Sequence, residues 1–339
     1  MENKYYKNKM NFLIIGSNSF SGSHFIDYLL KKKHRTFGVS RSKEINSIFL
    51  PYKKNTNKKL FKFYKCNLNS SRGIKLIINL IKKKEINYVV NFAAQAMVAE
   101  SWKFPIDYYN TNILSQAKLH LKLLNIKNIK KFVQVSTPEV YGDNKGIINE
   151  NSNYNPSTPY AVSRAACDLH LMNLFKNYRF PVVFTRAANV YGPGQQIYRI
   201  VPKTIMSSLG NKNMFLHGGG ISQRSFIYIT DVAEATYNIC LKGDCGEIYH
   251  ISGNHVIKIK NLVRKIFKLT KNIYSKFVRI SKDRPGKDQL YYLNNMKLIK
   301  KFKCKPKINL DQGLYNTISW IKENYKYLSS ISDIYKYKK

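Results

Sequence analysis

The residues whose types and spacing best suit chemistry lie near the middle of the chain. Two hydroxyls, Ser136 and Thr137, and the carboxylate of Glu139 follow directly after a short apolar run. If that run is a buried strand of an open parallel sheet, these side chains lie at its carboxyl end, where such sheets bind ligands. Tyr160 and Arg164 stand four residues apart, which places a phenol and a cation on one face of a helix. Because a nearby cation lowers the pKa of a phenol from its usual ~10, we expect this set to transfer protons.

The start of the chain predicts an element that holds a dinucleotide. Residues 11–16 are a short apolar run ending in glycine, and Gly16, Ser19 and Gly22 follow at three-residue spacing before a helical apolar pattern. A strand, a glycine turn and a helix open the dinucleotide-binding fold, in which the backbone approaches a pyrophosphate at the helix N-terminus. Further short apolar runs predict strands at residues 36–39, 88–92, 132–135 and 180–185, and an alternating pattern predicts one at residues 61–65.

A cation follows the second predicted strand. NAD enzymes usually have an acidic residue there for the ribose hydroxyls, whereas this chain has Ser40, Arg41 and Ser42. A guanidinium flanked by hydroxyls suits a 2′-phosphate, so the sequence predicts NADP as the cofactor, with NAD as the alternative. Residues 44–59 show no apolar period and are predicted to be a polar excursion.

The charge of the chain raises the question of a nucleic-acid partner. Lys and Arg number 58 against 19 Asp and Glu, a formal net charge of +39. Such an excess is typical of proteins that bind nucleic acid. The lysines are nevertheless spread along the whole chain, and no aromatic–basic motif accompanies them. We therefore expect a solvated basic surface and no specific nucleic-acid partner.

Cysteine use and hydropathy point to a cytoplasmic protein. The five cysteines are odd in number and show no paired metal-ligand spacing, which favours reduced thiols and no metal site. The first ten residues are polar and basic, without the apolar core of a signal peptide. No apolar run approaches membrane-spanning length, so no membrane partner is expected.

These motifs together resemble the extended short-chain dehydrogenase/reductase family, whose members remodel nucleotide sugars. Residues 136–142 read Ser-Thr-Pro-Glu-Val-Tyr-Gly, and this segment is most similar to that of the nucleotide-sugar 4,6-dehydratases. Tyr160 and Arg164 stand where the family has a tyrosine followed four residues later by a lysine. The resemblance extends from Asn11 to about Tyr325.

The resemblance implies both a fold and a reaction. The fold is α/β: a Rossmann-type doubly wound parallel sheet in residues 1–191 and a smaller substrate-binding lobe in residues 192–339, with segments that return to the sheet. The reaction converts an NDP-hexose of the dTDP-glucose or GDP-mannose class to the NDP-4-keto-6-deoxyhexose through an internal hydride transfer. The resemblance also implies a homodimer through a four-helix contact, formed by the helix carrying Tyr160 and one near residues 105–124.

The site residues follow from the same resemblance. The catalytic residues are expected to be Thr137, Glu139, Tyr160 and Arg164. The residues expected to contact the cofactor are Gly16, Ser19, Phe20, Gly22, Ser40, Arg41, Asn67, Leu68, Phe92, Ala93, Ala94, Gln95, Thr111, Tyr160 and Arg164. Those expected to contact the nucleotide sugar are Thr137, Asn189, Arg224 and Arg284.

Three positions depart from the family pattern and leave alternatives open. Ser19 replaces a glycine, Arg164 replaces the lysine, and Pro138 replaces the aspartic acid that protonates the leaving hydroxyl in dTDP-glucose enzymes. GDP-mannose dehydratases lack that acid as well. A nucleotide-sugar epimerase or decarboxylase on the same scaffold needs no base at Glu139. A non-catalytic cofactor-binding protein is the other alternative, because all three positions depart together.

Overall fold

A computed structural model describes residues 9–143, 146–283 and 289–337 of the chain. The strands, in chain order, are β1 (Asn11–Ile15), β2 (Arg35–Ser40), β3 (Phe61–Lys65), β4 (Tyr88–Asn91), β5 (Lys131–Val135), β6 (Val182–Ala187), β7 (Asn189–Tyr191), β8 (Met214–His217), β9 (Gln223–Tyr228), β10 (Ile248–Ile251), β11 (Val256–Lys258), β12 (Val278–Ser281) and β13 (Leu290–Tyr291). The helices are α1 (Phe20–Lys31), α2 (Ser71–Lys83), α3 (Val98–Ser101), α4 (Pro105–Tyr109), α5 (Ser115–Leu123), α6 (Pro159–Tyr178), α7 (Ile200–Leu209), α8 (Ile229–Lys242), α9 (Ile259–Leu269), α10 (Tyr274–Phe277), α11 (Met296–Phe302), α12 (Leu310–Glu323) and α13 (Tyr325–Ser330).

The largest element is a seven-stranded sheet in the order β10-β6-β5-β4-β1-β2-β3. All neighbouring strands pair in parallel. The strand order reverses at β1, where Ile15 pairs with Val39 of β2 on one side and with Asn91 of β4 on the other. This reversal is the switch point at which open α/β sheets bind ligands. The doubly wound parallel sheet predicted from the sequence is confirmed.

Both faces of the sheet are buried. Phe12 and Ile14 of β1 pack into an apolar cluster that includes residues of α1 and α8. Leu13 and Ile15 pack into a second cluster that includes residues of α2, α5 and α6. Burial on both faces explains why these strands appear in the sequence as continuous apolar runs rather than as alternating ones.

Residues 44–59 differ from the predicted polar excursion. They form short 3₁₀ turns at Ser47–Phe49, Pro51–Lys54 and Lys58–Leu60, and Tyr52 in the middle turn is fully buried. Its ring lies 4.6 Å from that of Phe61, and its hydroxyl donates to Glu44 at 2.8 Å. Apolar residues that anchor a series of turns have no regular period, so the pattern alone did not reveal them.

The chain after β7 builds a smaller lobe. In its sheet, β9 pairs antiparallel with β11 and parallel with β13 and β7, while β8 and β12 form a separate parallel pair. A third apolar cluster joins α7, α9 and α12. β10 lies at the edge of the main sheet beside β6, although it follows β8 and β9 in the chain. The division predicted between residues 191 and 192 stays a prediction.

A helix that spans a membrane must be both long and apolar. α6 has 20 residues, but it carries Arg164 and Asp168 on a buried side. Throughout the three described ranges, no helix combines the length and apolar character that crossing a membrane requires.

Candidate active site

The turn after β1 brings the backbones of two strands and a helix close together. Gly16 has a φ of 85°, a left-handed conformation that glycine adopts without strain. A Cβ at Gly16 would lie 2.7 Å from the backbone nitrogen of Ala93, and a Cβ at Gly22 would lie 2.5 Å from the carbonyl oxygen of Gly16. Any larger residue at either position would therefore force this turn open.

Ser19 has a structural role at the same turn. It is the N-cap of α1, and its hydroxyl oxygen accepts a hydrogen bond from the backbone nitrogen of Gly22 at 3.1 Å. The hydroxyl also donates to the carbonyl of Gly16 at 2.7 Å. Serine is among the residues that cap helices best. The replacement of the family's glycine therefore fastens the start of α1 to the turn.

A cavity of ≈ 250 Å³ lies at the carboxyl ends of β1, β2, β3 and β4. The predicted cofactor residues that line it are Gly16, Ser19, Ser40, Arg41, Asn67, Leu68, Phe92, Ala93, Ala94, Gln95 and Thr111. The other predicted cofactor residues, Phe20, Gly22, Tyr160 and Arg164, are not among its lining residues. The structure thus brings together residues from five segments of the chain, and their contact with a cofactor stays a prediction.

The cavity has features that fit a dinucleotide. Asn18 lines it, and the buried side-chain oxygen of Asn18 has no hydrogen-bond partner among the described residues. The side-chain nitrogen of Asn18 donates to the carbonyls of Ser42 and Lys43 at 3.1 and 2.9 Å, so the glycine turn and the segment after β2 are held together. A concave site with a glycine cradle, apolar walls and a few convergent polar groups is typical of nucleotide binding.

A π-turn (Asn110–Leu114) shapes another wall of the cavity. Thr111 lines the cavity, and its hydroxyl oxygen accepts a hydrogen bond from the side chain of Asn69 at 3.0 Å. The buried Asn112 bonds both backbone polar groups of Gln95, at 2.9 and 3.0 Å, and donates to Ser163 at 2.9 Å. π-turns inside helices are frequent at functional sites. This one connects the loop after β4 to α6.

The phenol of Tyr160 lies within reach of the other three predicted catalytic residues. It shares a hydrogen bond with Thr137, and the charges of Glu139 and Arg164 both act on it. Burial, followed by the Glu139 carboxylate, raises the pKa of Tyr160, whereas Arg164, Thr137 and the more remote Arg199 lower it. The expectation of a lowered pKa is right for the effect of Arg164 and wrong for the net result. The sequence did not show how completely the phenol is buried.

Pro138 belongs to the short turn that holds the threonine and the glutamate. Thr137 is the N-cap of a 3₁₀ turn, Pro138–Tyr141, and its side-chain oxygen accepts a hydrogen bond from the backbone nitrogen of Glu139 at 3.5 Å. Proline fits the first position of such a turn because its missing N–H would have no partner there. The departure from the family's acid therefore favours the local fold while removing a proton donor from the site.

Arg164 is anchored to the carboxyl end of β5. Its side chain is 2% exposed, and Nη2 donates to the carbonyl of Val135 at the end of β5. Its Nε and Nη1 atoms have no hydrogen-bond partner in the described part of the chain. A buried guanidinium with unpartnered donors is costly unless a ligand or water pairs with them, so both nitrogens call for such a partner.

A buried ion pair fixes α6 against β5 and β6. Asp168 of α6 accepts hydrogen bonds from Ser136 at 2.5 Å and from Arg186 at 2.8 Å. The Arg186 guanidinium lies 4.6 Å from the ring of Tyr141 and 4.7 Å from that of Tyr154. Because Ser136 directly precedes the predicted catalytic threonine, this network sets the position of that threonine relative to α6.

Of the predicted substrate residues, Thr137 lies in the turn after β5, while Asn189 and Arg224 lie in the sheet of the smaller lobe. Asn189 begins β7, which pairs with β9. Arg224 lies on β9, where it donates to two backbone carbonyls at 2.8 and 3.2 Å and stacks on the ring of Tyr291 at 4.4 Å. Arg284 lies outside the described residues. Contact of these residues with a sugar nucleotide stays a prediction.

Two residues near Tyr160 were not singled out from the sequence. Arg199, the N-cap residue of α7, is close enough for its charge to lower the pKa of Tyr160. The ring of Tyr108 on α4 lies 6.3 Å from that of Tyr160, edge to face, and its hydroxyl donates to the carbonyl of Met97 at 2.6 Å. Arg199 is one of 58 Lys and Arg residues, and no local motif distinguished it.

Comparison with known proteins agrees with this architecture. A dTDP-D-glucose 4,6-dehydratase of Dictyostelium discoideum is 33% identical over an aligned length of 369. The alignment covers 93% of this chain and 82% of that protein. The dTDP-glucose 4,6-dehydratase DesIV of Streptomyces venezuelae, solved with NAD bound, has a TM-score of 0.86 at 26% identity and covers 94% of this chain and 98% of its own.

An epimerase is similar as well. The UDP-glucuronic acid 4-epimerase of Bacillus cereus, solved with UDP-glucuronic acid and NAD, has a TM-score of 0.83 at 25% identity and covers 93% of this chain and 100% of its own. The family model of GDP-mannose 4,6 dehydratase matches residues 13–317. The nucleotide-sugar dehydratase resemblance stated from the motifs is confirmed, and the chain belongs to the GDP-mannose 4,6-dehydratase family of the extended short-chain dehydrogenase/reductases.

Proposed function

We propose that the chain is a nucleotide-sugar 4,6-dehydratase that converts an NDP-hexose of the dTDP-glucose or GDP-mannose class to the NDP-4-keto-6-deoxyhexose. One observation carries the proposal: a carboxylate, Glu139, is close enough to the phenol of Tyr160 to raise its pKa. The dehydratase must remove one proton from the hydroxyl on C4 and another from C5, the neighbouring ring carbon. It therefore needs two bases side by side, and this site offers them beside a dinucleotide-type cavity.

The first half of the reaction is an oxidation at C4. Tyr160, as the phenolate, takes the proton of the O4 hydroxyl, and Thr137 hydrogen-bonds O4 before and after the oxidation. A nicotinamide cofactor supplies, when bound, the hydride acceptor for C4 and later the hydride donor for C6. Arg164 stabilises the phenolate by its charge, and in this proposal its two unpartnered nitrogens bind ribose hydroxyls of the cofactor.

The second half is the loss of water across C5 and C6. The C4 ketone acidifies the C5 proton, and Glu139 removes it. The C6 hydroxyl needs a proton to leave as water, and Pro138 has none to give. Glu139, protonated by its removal of the C5 proton, gives that proton to the leaving hydroxyl, so water departs and the carboxylate is restored. One group thus acts first as a base and then as an acid. C5 regains a proton from solvent when C6 receives its hydride.

The substrate is held from the smaller lobe in this proposal. Asn189 contacts the sugar nucleotide at the start of β7, and Arg224 binds the diphosphate, a task that suits a forked guanidinium. By resemblance, Arg284 contacts a phosphate or the ribose of the same ligand, and it lies outside the described residues. The stacking of Arg224 on Tyr291 supports this role, because it fixes the plane of the guanidinium.

A panel of nucleotide sugars tests the function. The purified protein is incubated separately with dTDP-glucose, UDP-glucose and GDP-mannose, and 4-keto products are followed by absorbance in alkali and by mass. A product lighter than its substrate by one water supports the dehydratase. A stereoisomer of unchanged mass would identify an epimerase, and no change with any sugar would favour a cofactor-binding protein.

We further propose NADP as the preferred cofactor, with Arg41 as the reader of the 2′-phosphate. Arg41 lines the cavity beside Ser40, whose hydroxyl oxygen accepts from the backbone nitrogen of Asn18 at 3.0 Å. Similar dehydratase and epimerase structures were solved with NAD. No acidic side chain lies among the residues that line this cavity, and this absence supports NADP.

Arg41→Ala is expected to weaken NADP binding about tenfold or more and to leave NAD binding nearly unchanged, because only NADP loses a charge-assisted hydrogen bond. Titration of nucleotide-stripped protein with each cofactor measures this effect. Arg35→Ala, at the opposite end of β2, is the matched control and should change neither affinity. Equal losses for both cofactors would show that Arg41 does not read the phosphate.

We also propose a homodimer built on α5 and α6. Both helices expose large apolar side chains: Leu121 on α5 is 53% exposed, and Val162 and Leu169 on α6 are 40% and 55% exposed. Leu169→Asp is expected to convert a dimer to a monomer in sedimentation velocity, because a charge would be buried without a partner. Ile280→Asp, at a position 78% exposed on β12, is the control and should remain dimeric. A parent protein that sediments as a monomer would contradict the proposal.

A further inference from the structure

Residues 331–337, which follow α13, cross from one lobe to the other, and we refer to them as the strap. At the smaller lobe, Asp333 forms an ion pair with Lys203 of α7 at 3.7 Å. The ring of Tyr335 lies 5.2 Å from that of Tyr198, edge to face. Tyr198 belongs to the segment that connects β7 to α7, and Lys203 belongs to α7 itself. The strap therefore begins on the substrate side of the molecule.

The far end of the strap is attached to the main-sheet side. The ring of Tyr337 is stacked on Phe104 with centroids 4.2 Å apart and planes 13° apart. The Tyr337 hydroxyl donates to Asp107 of α4 at 2.7 Å. An extended chain of seven residues spans roughly 23 Å at about 3.3 Å per residue, which is enough to cross a nucleotide-binding cleft.

The strap passes close to both halves of the candidate active site. Arg41, which lines the cavity, and Arg199, which acts on Tyr160, both lower the pKa of Tyr335, although burial raises it overall. The residue after Asp107, Tyr108, packs against the catalytic phenol. Tyr335 packs on Tyr198, the residue before Arg199, so it lies beside the guanidinium that acts on Tyr160 as well as near Arg41 of the cofactor cavity.

We propose that the strap is a third wall of the nucleotide-sugar site, with Tyr335 as a further binding residue and Tyr337 as the side chain that holds the strap closed on α4. The proposal rests on the proposed function for the identity of the ligand. It predicts that the nucleotide sugar enters and its product leaves when the strap lifts, so the strap controls retention rather than the chemical steps.

The contacts of the strap suit a segment that opens. Its attachments are side chains spaced two residues apart, Asp333, Tyr335 and Tyr337, while Ile334 between them is 70% exposed. Ile331 at its start packs partly buried against the third apolar cluster, whereas Leu328 in the helix before it is fully buried. Local opening has a low cost where a segment has few buried apolar contacts.

Two variants test the strap, one a substitution and the other a truncation. Tyr337→Ala removes the stack and the hydrogen bond at one end, and a stop after Ser330 removes the strap while keeping α13. Each is expected to raise the dissociation rates of dTDP and of the nicotinamide cofactor about tenfold or more, measured by displacement in stopped flow without turnover. KM for the accepted sugar should rise in proportion, while kcat falls less than about threefold because the reacting groups stay in place.

Tyr315→Ala is the matched control, since Tyr315 is 63% exposed on α12 and should leave both dissociation rates unchanged. Parental dissociation rates in both test variants would overturn the proposal. If the sugar panel gives no 4-keto product but the variants still release the cofactor faster, the strap stands and the dehydratase assignment falls. If product forms and the variants release ligands at the parental rate, the dehydratase stands and the strap is only terminal packing. A protein that binds neither dTDP nor cofactor would contradict both.

Discussion

Arg164→Met is expected to reduce turnover about 10²-fold or more, within the range typical of a lost general-base function. The arginine is buried, its charge lowers the pKa of Tyr160, and burial and Glu139 already act in the opposite direction. Methionine keeps most of the length and none of the charge. The rate depends on the phenolate, so it rises with pH through the pKa of Tyr160. Loss of the cation raises that pKa further, and the rising limb of the pH–rate profile should move to higher pH.

The conservative change separates charge from shape. Arg164→Lys keeps the cation and should keep the rising limb near its parental pH, with an intermediate rate because lysine has no fork to reach both the Val135 carbonyl and a ligand. Lys176→Met, on the exposed side of the same helix, should behave as the parent. Thermal unfolding of each variant checks that the fold persists. A methionine variant with parental activity and an unmoved profile would remove Arg164 from the mechanism, and Tyr160 with it.

The fold was accessible from the sequence because most strands of its main sheet are short apolar runs buried on both faces, while the edge strand at residues 61–65 alternates. Residues 61–65 are a strand as predicted, and Gly16 lies at the tight turn that the motif indicates. The apolar period did not reveal buried residues in irregular turns. Tyr52, for example, is buried within a segment that appeared polar. The fate of Ser19 was equally hidden. Its value as a helix cap depends on where α1 starts, which the motif places only to within a residue or two.

The candidate site was accessible in part, because its motif residues are close in sequence to the elements that position them. Thr137 and Tyr160 come from the end of β5 and the start of α6, and the helix period brings Arg164 to the same side. Arg199 and the strap depend on returns of the chain from the smaller lobe, and no local pattern encodes those. The net pKa of Tyr160 was also out of reach, since burial outweighs the cation and is a property of the packed molecule.

Glu139→Gln is expected to reduce formation of the 4-keto-6-deoxy product by about 10²–10⁴-fold, the usual cost of removing a general base. Glutamine keeps the size and hydrogen bonding of the side chain, so sugar binding should persist. C4 oxidation should also persist, because it uses Thr137 and Tyr160. The Glu139 carboxylate raises the pKa of Tyr160. Its removal should therefore lower that pKa and favour the phenolate. The variant should therefore accumulate reduced cofactor, visible by its absorbance. Glu247→Gln, a half-exposed carboxylate paired with Lys297, is the matched control.

Heavy water distinguishes elimination from every other fate of the 4-keto sugar. With the parent enzyme, the proton that Glu139 takes from C5 leaves with the water and C5 regains a proton from solvent, so the product should carry solvent deuterium at C5. The hydrogen delivered to C6 should be the one originally at C4, because it travels on the cofactor and never meets solvent. The glutamine variant should instead show an unexchanged C5 in the sugar it retains, since it lacks the carboxylate that acts beside the phenol of Tyr160. A glutamine variant that eliminates water at the parental rate, or a parent enzyme that inverts a centre and loses no water, would overturn the dehydratase assignment. Deuterium at C5 with no loss of water would point to Glu139 as the base of an epimerase.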